Sequence, residues 1–122
     1  MRKLVVNAAA ALLVAATALP ADPASTATFA AWQVSGVPFG DVLNVRKYPA
    51  GNSQKQGAYP NGTVLQMTGT CTGGVDLFDM AGQPHWRQQQ MVRFRWCQIW
   101  HDPARDGNFV TGWVYGKYIK PY

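Results

Sequence analysis

Short apolar runs, separated by turns rich in Gly and Pro, are the feature that most limits the fold of this chain. The 122 residues include 12 Gly and 8 Pro, which interrupt helices and favour turns. All acidic residues are Asp, so the strong helix former Glu is absent. Residues 42–46 alternate, with Leu43 and Val45 on one face, as is typical of a half-buried strand. This pattern predicts an all-β domain, either a small barrel or a sandwich.

The predicted strands are short and are joined by long loops. They are expected at 32–37, 42–46, 63–71, within 85–100 and at 109–115. Residues 47–62 are predicted to form an irregular loop, and 116–119 a tight turn or one 3₁₀ turn. Asn44 is expected to hydrogen-bond loop backbone. Six side chains are expected to fill the interior: Leu43, Val45, Leu65, Met67, Ile99 and Val114.

The N-terminal segment has the three-part layout of a secretory signal peptide. Two basic residues precede an almost wholly apolar run at 4–19, and small residues follow it. A membrane helix needs about 20 apolar residues, so this run is short for a membrane span. We expect residues 1–30 to be a signal-peptide helix, cleaved after Ala27 or Ala30. The mature chain is then exported to the periplasm or the medium, without a membrane span.

The exported part, 31–122, is expected to be one small monomeric domain without a cofactor, because it is too short for the large cofactor-holding scaffolds. It keeps nine basic and five acidic side chains, which leaves a net charge of +4. A solvated surface is the simplest interpretation of this charge. Affinity for an anionic partner, such as cell wall or lipid headgroups, is the alternative. Nucleic acid is not an expected partner of an exported chain.

The two cysteines, Cys71 and Cys97, both lie in the exported part. In an oxidising compartment a single disulfide between them is the default expectation. Closing a loop of this length would stabilise the fold by about 3–4 kcal/mol. The alternative is a free thiol or a metal ligand, but the chain has no CxxC spacing and no nearby Cys-His pair.

Several motifs resemble those of bacterial SH3 (Src homology 3-like) domains. The residues LNVR at 43–46, followed shortly by a proline, are similar to the LNVR…P opening of that family, and NGTVL at 61–65 fits the start of its middle strand. WCQIW at 96–100 resembles a W-x-x-V strand, and GWVYGKYI at 112–119 resembles the closing GWV-x-G-x-YL motif. The resemblance covers about residues 33–122 and implies a small SH3-like β-barrel.

The stretch between Cys71 and Trp96 departs from this family because it is much longer than the usual connection. We expect an insertion at about 72–95, a loop or a hairpin that the disulfide ties down. At its end, apolar residues alternate with Arg93 and Arg95, which predicts a strand with one aromatic and one cationic face. Trp96 and Phe94 are expected to belong to the core.

The sequence carries no constellation typical of an enzyme. Ser35 and Ser53 have no His nearby in sequence, whereas a serine nucleophile needs an oriented base. Three weaker candidates are interpreted structurally: His101-Asp102 as part of a surface loop, Asp76 and Asp79 as turn residues, and His85 with His101 as an incomplete metal set. We therefore expect a non-enzymatic protein with no catalytic residue and no metal site.

A binding module is the first of two functional hypotheses. The resemblance to bacterial SH3 domains implies recognition of a peptide, most plausibly the peptide stem of peptidoglycan. Aromatic faces with phenol hydroxyls suit extended peptides, and Arg46 or Arg95 would meet carboxylates. The residues expected in the ligand-binding groove are Trp113, Tyr115, Tyr118, Tyr48, Arg46 and Trp100.

A stand-alone interaction or inhibitor protein is the second hypothesis. Such a protein would bind an exported or foreign protein through the insertion. Trp and Arg dominate the energetics of protein interfaces. The residues expected on that interaction surface are Trp86, Arg87, Arg93 and Arg95, together with Phe94.

Overall fold

The computed structural model describes residues 29–122 and is mostly β. The strands are β1 (Ala30–Val34), β2 (Leu43–Arg46), β3 (Lys55–Tyr59), β4 (Val64–Cys71), β5 (Trp96–His101), β6 (Val110–Tyr115) and β7 (Ile119–Pro121). One α-helix, α1 (His85–Val92), and two 3₁₀ turns, Thr72–Gly74 and Gly116–Tyr118, complete the described part. The predicted signal peptide lies outside the described residues, apart from its last two positions.

All seven strands belong to one antiparallel sheet, in the order β3-β2-β6-β5-β4-β1-β7. Its longest uninterrupted register joins β5 to β6, from Trp96 opposite Tyr115 to His101 opposite Val110. Among the described residues, the edge strands β3 and β7 do not pair with each other. This architecture confirms the predicted all-β class, and the 3₁₀ turn predicted near residues 116–119 is present at Gly116–Tyr118.

The core lies on one face of the sheet, where alternate side chains of every strand except β3 are buried. The six predicted interior side chains are all buried. The connection between β4 and β5 adds three more buried apolar side chains: Leu77, Met80 and Val92. The segment predicted as an insertion is therefore packed into the same core as the sheet.

A disulfide joins Cys71, at the end of β4, to Cys97, in β5. The two residues are register partners in the sheet, and both are buried. The predicted pairing is confirmed. Because the bridge joins the strand that enters the 72–95 segment to the strand that leaves it, both ends of this segment are fixed in place.

Residues 85–92 form helix α1, so the predicted strand there is wrong. Arg, Gln and Met favour helices, and Pro84 precedes the first turn, where a missing N–H has no cost. Only Gln88 and Val92 are buried on the helix, and two positions four residues apart give a weak helical signal. Arg93 and Arg95, which were expected in a strand, lie between the end of this helix and the start of β5. Phe94 is exposed, so it is not in the core.

Two edge strands, β3 and β7, were not expected from the sequence. β3 lies inside the segment predicted as an irregular loop, and β7 follows directly on the last 3₁₀ turn. β3 pairs with β2 alone and has no buried residue. An edge strand that buries no side chain lacks the apolar alternation by which strands are identified in a sequence.

Gly116 marks the contact between the 72–95 segment and the last 3₁₀ turn. Its N–H donates to the carbonyl of Arg95 at 2.8 Å, and an added Cβ would collide with the backbone carbonyl of Val92. We predict that G116A lowers the free energy of unfolding by about 1–3 kcal/mol, because backbone must move to admit the methyl group. Urea denaturation followed by circular dichroism measures the change.

Gly82 provides the matched control, since a Cβ there would meet nothing within 4 Å. G82A should be neutral or stabilise by up to about 1 kcal/mol, through the restricted unfolded chain. Equal stabilities of G116A and G82A would show that the close approach at Gly116 has no energetic weight.

Candidate functional site

A groove of about 380 Å³ lies between the loop at residues 35–42 and the aromatic side chains of β5, β6 and the last 3₁₀ turn. Strand β2 contributes its floor. The lining residues are Val37, Pro38, Asp41, Val42, Leu43, Asn44, Arg46, Trp96, Tyr115 and Tyr118. The volume falls in the range typical of small-ligand sites, about 300–1,000 Å³.

Three half-buried rings form one wall of the groove. Trp96 and Tyr115 are cross-strand partners, and their ring centroids are 5.2 Å apart. The 3₁₀ turn after β6 then brings the ring of Tyr118 to 6.4 Å from that of Tyr115. Contacting rings of this kind present an apolar surface with phenol hydroxyls that can donate and accept hydrogen bonds.

The 35–42 loop forms the opposite wall, and remote hydrogen bonds hold it in place. The N–H of Val37 donates to Oδ1 of Asn61 at 3.1 Å, and Nδ2 of Asn61 donates back to the carbonyl of Val37 at 2.8 Å. The N–H of Ser35 donates to the carbonyl of Tyr118 at 2.8 Å. The backbone-binding role expected of Asn44 therefore belongs, among the described residues, to Asn61.

Two opposite charges belong to the groove lining. Nη1 of Arg46 donates to the carbonyl of Ser53 at 3.0 Å, which orients the guanidinium and engages one of its five N–H donors. Oδ1 of Asp41 accepts from the N–H of Val42 at 2.8 Å. The groove thus offers a cation for carboxylates and an anion for ammonium groups, beside an aromatic wall.

The structure places three of the six predicted ligand-binding residues in this groove: Arg46, Tyr115 and Tyr118. Trp113 and Trp100 lie on the outer face of β6 and β5, outside the lining. Tyr48 is exposed in the loop after β2, also outside the lining.

Two of the groove residues that were not expected there are an aromatic and an acidic side chain. Trp96 is half-buried in the lining rather than in the core, and its place opposite Tyr115 could have been found only by pairing the two motifs at 96–100 and 112–119. Asp41 carries no sequence signal, because its position depends on the conformation of the 35–42 loop.

The four side chains of the predicted interaction surface differ in their exposure. Trp86 and Arg87 are exposed on α1, and Arg93 is exposed just after the helix. Arg95 is half-buried, and its guanidinium lies against Gly73. Three of the four side chains are therefore accessible to a partner, while Arg95 also packs the 3₁₀ turn after β4.

The carboxylate and imidazole side chains of the described part of the chain are dispersed rather than clustered. Within residues 29–122 no three His, Cys, Asp or Glu side chains are placed to hold a metal ion. Oδ1 of Asp76 accepts from the N–H of Phe78 at 2.8 Å, which confirms its predicted turn role. Over the same range, no helix has the length and apolar character needed to cross a membrane.

His101 is buried in β5, with 5% of its surface exposed, so its predicted place in a surface loop is wrong. Its Nε2 lies 3.1 Å from Oε1 of Gln56, and its Nδ1 lies 2.9 Å from the hydroxyl of Tyr59. An amide oxygen can only accept, so Nε2 carries the proton and Nδ1 accepts from Tyr59. Burial lowers the pKa of His101, against the opposing charge of Asp102.

Comparisons with models of known protein families, with curated proteins and with solved structures find no match to this chain. The groove is therefore interpreted from its own geometry and from the motifs in the sequence.

The neutral, buried state of His101 predicts a loss of stability in acid. Because its pKa is lowered in the folded protein, the unfolded chain binds the proton first as the pH falls below about 6.5. Stability is thus complete above that pH and is lost as the pH falls from there towards the folded pKa. Thermal unfolding at about pH 7.5 and about pH 5.5 should show a lower Tm at the acidic value.

His85, at the exposed start of α1, provides the matched control. H85Q should keep the fall in Tm, and H101Q should remove most of it. Y59F deletes the hydroxyl that donates to Nδ1 and should shift the midpoint of the pH profile. If H101Q and H85Q lose the same Tm on acidification, the buried histidine is not the source of the effect.

Proposed function

We propose that the protein is an exported, non-enzymatic binding module with an SH3-like β-barrel, and that its groove recognises a peptide. The peptide stem of peptidoglycan is the ligand implied by the resemblance to bacterial SH3 domains. The observation that supports this proposal best is the groove, in which an aromatic wall faces a hydrogen-bonded loop with Arg46 and Asp41 in the lining.

Contacts across the interior support the barrel. β5 and β3 are separated in the sheet by β6 and β2, yet His101 of β5 lies within hydrogen-bond distance of Tyr59 and Gln56 of β3. Side chains of such distant strands meet only if the sheet curls strongly. A curled sheet of short strands is the arrangement that the SH3-like motifs imply.

The chemistry of the groove suits an extended peptide. The phenol hydroxyls of Tyr115 and Tyr118 can hydrogen-bond peptide groups, while their rings and that of Trp96 pack against side chains. The free donors of Arg46 can bind a carboxylate, and Asp41 can bind an amino group. A peptide with both kinds of group would therefore be preferred over a neutral one.

Export is supported by the buried disulfide, since such bridges persist in oxidising compartments. The signal-peptide pattern in the sequence points the same way. Reduction in the cytoplasm would remove the bridge between Cys71 and Cys97 that fixes both ends of the 72–95 segment.

A second candidate function, binding to an exported protein through α1, is favoured by exposed side chains. Trp86, Met91 and Phe94 are all exposed, and Arg87 and Arg93 lie among them in the sequence. Exposed apolar groups with neighbouring Arg are typical of protein interfaces.

The groove proposal predicts salt-resistant binding to purified sacculi. Ring packing is little screened by salt, whereas attraction between exposed charges is weakened beyond a Debye length. Co-sedimentation should therefore persist at about 1 M salt, where that length is about 3 Å. Y118A should weaken binding about tenfold or more, equivalent to about 1.4 kcal/mol.

Y48A is the matched control, because Tyr48 is an exposed tyrosine outside the groove lining. Its affinity should stay within about twofold of the parent. Y118F separates the hydroxyl from the ring, and a Tm for each variant checks the fold. Absence of sedimentation, binding that vanishes with salt, or equal losses in Y118A and Y48A would each contradict the groove proposal.

A further inference from the structure

The outer face of β4, β5 and β6 carries an aromatic surface that continues from the Trp96–Tyr115 pair of the groove wall. We define this surface, the outer strip, by six residues: Gln66, Thr68, Gln98, Trp100, Thr111 and Trp113. Its register is fixed by the sheet, since Trp100 is paired with Gln66 on one side and Thr111 on the other, and Gln98 is paired with Trp113. The strip shares no residue with the groove lining.

Two indoles stand out on this strip. Trp100 is 41% exposed, and Trp113 is half-buried. Trp113 lies two residues along β6 from the partner of Trp100, so the two are diagonal neighbours, about 7–8 Å apart. The core side of the same strands is filled by Ile99 and Val114, so neither indole is needed to fill the interior.

The polar members of the strip are uncharged and one of them is oriented, while Arg46 of β2 flanks the strip as the register partner of Trp113. Oγ1 of Thr68 donates to Oε1 of Gln98 at 3.1 Å. This bond fixes the amide so that its Nε2 hydrogens remain as donors, and no hydrogen bond within residues 29–122 engages them. The site thus offers amide donors beside two apolar ring faces, which calls for a ligand with apolar faces and carbonyl acceptors.

We propose that the outer strip binds a glycan that carries N-acetyl groups. The indoles of Trp100 and Trp113 stack on the C–H faces of sugar rings, and Nε2 of Gln98 donates to an acetamido carbonyl oxygen. Two stacking positions require at least a disaccharide. The six members of the strip carry no charge, so stacking and the amide contact supply the affinity, and this inference does not require a peptide in the groove.

Titration with two soluble probes, chitohexaose and cellohexaose, tests the proposal. These oligosaccharides share their β-1,4 backbone and differ in the acetamido group. Calorimetry and NMR on the disulfide-bonded exported protein should give an affinity at least about fivefold higher for chitohexaose. W100A should weaken it at least about tenfold, whereas W100F should retain part of it.

Two further variants, Y118A in the groove and Q98A in the strip, distinguish the possible results. Y118A should leave chitohexaose binding within about twofold of the parent, and Q98A should remove the preference over cellohexaose. Absence of binding to either probe would overturn the proposal, as would a loss in Y118A that W100A does not show. Equal affinities of the parent for the two probes would overturn the acetamido assignment.

Discussion

The antiparallel pairing of β5 with β6 is the constraint on which the rest of the structure depends. Its six register pairs run without a shift from Trp96 opposite Tyr115 to His101 opposite Val110. Inward, this register places the disulfide, Ile99, Val114 and the histidine that reaches β3. Outward, it places the Trp96–Tyr115 wall of the groove and the two indoles of the outer strip. A slip of one residue would exchange these faces, so core and binding surfaces are specified together.

The long connection between β4 and β5 packs against the sheet and stabilises this pairing. The disulfide fixes its two ends, Val92 enters the core, and the carbonyl of Arg95 accepts from the N–H of Gly116. Gly116 follows Tyr115 and is the first residue of the 3₁₀ turn that carries Tyr118. The segment predicted as an insertion is therefore a structural neighbour of the aromatic wall of the groove.

Period-two alternation made the class, the interior and most strands predictable, because each buried side chain in LNVR at 43–46 and VTGWVY at 110–115 is followed by a more exposed one. α1 and β3 could not be predicted in this way, because the helix has only two buried residues and β3 has none. Tyr115 and Tyr118 could be anticipated from their motif. Asp41 could not, because Asn61, 24 residues away from Val37, sets the loop that carries it.

The two walls of the groove differ in origin, and this difference bears on recognition. The aromatic wall is formed by the sheet and by the 3₁₀ turn that follows β6, so its rings are positioned by regular strand pairing. The loop wall is irregular, yet three hydrogen bonds fix it before a ligand arrives: two between Val37 and Asn61, and one from the N–H of Ser35 to the carbonyl of Tyr118. A preformed loop lowers the entropy lost on binding. Phe39, at the tip of this loop, is fully exposed. An extended ligand that is longer than the groove would therefore contact a further aromatic ring at this rim.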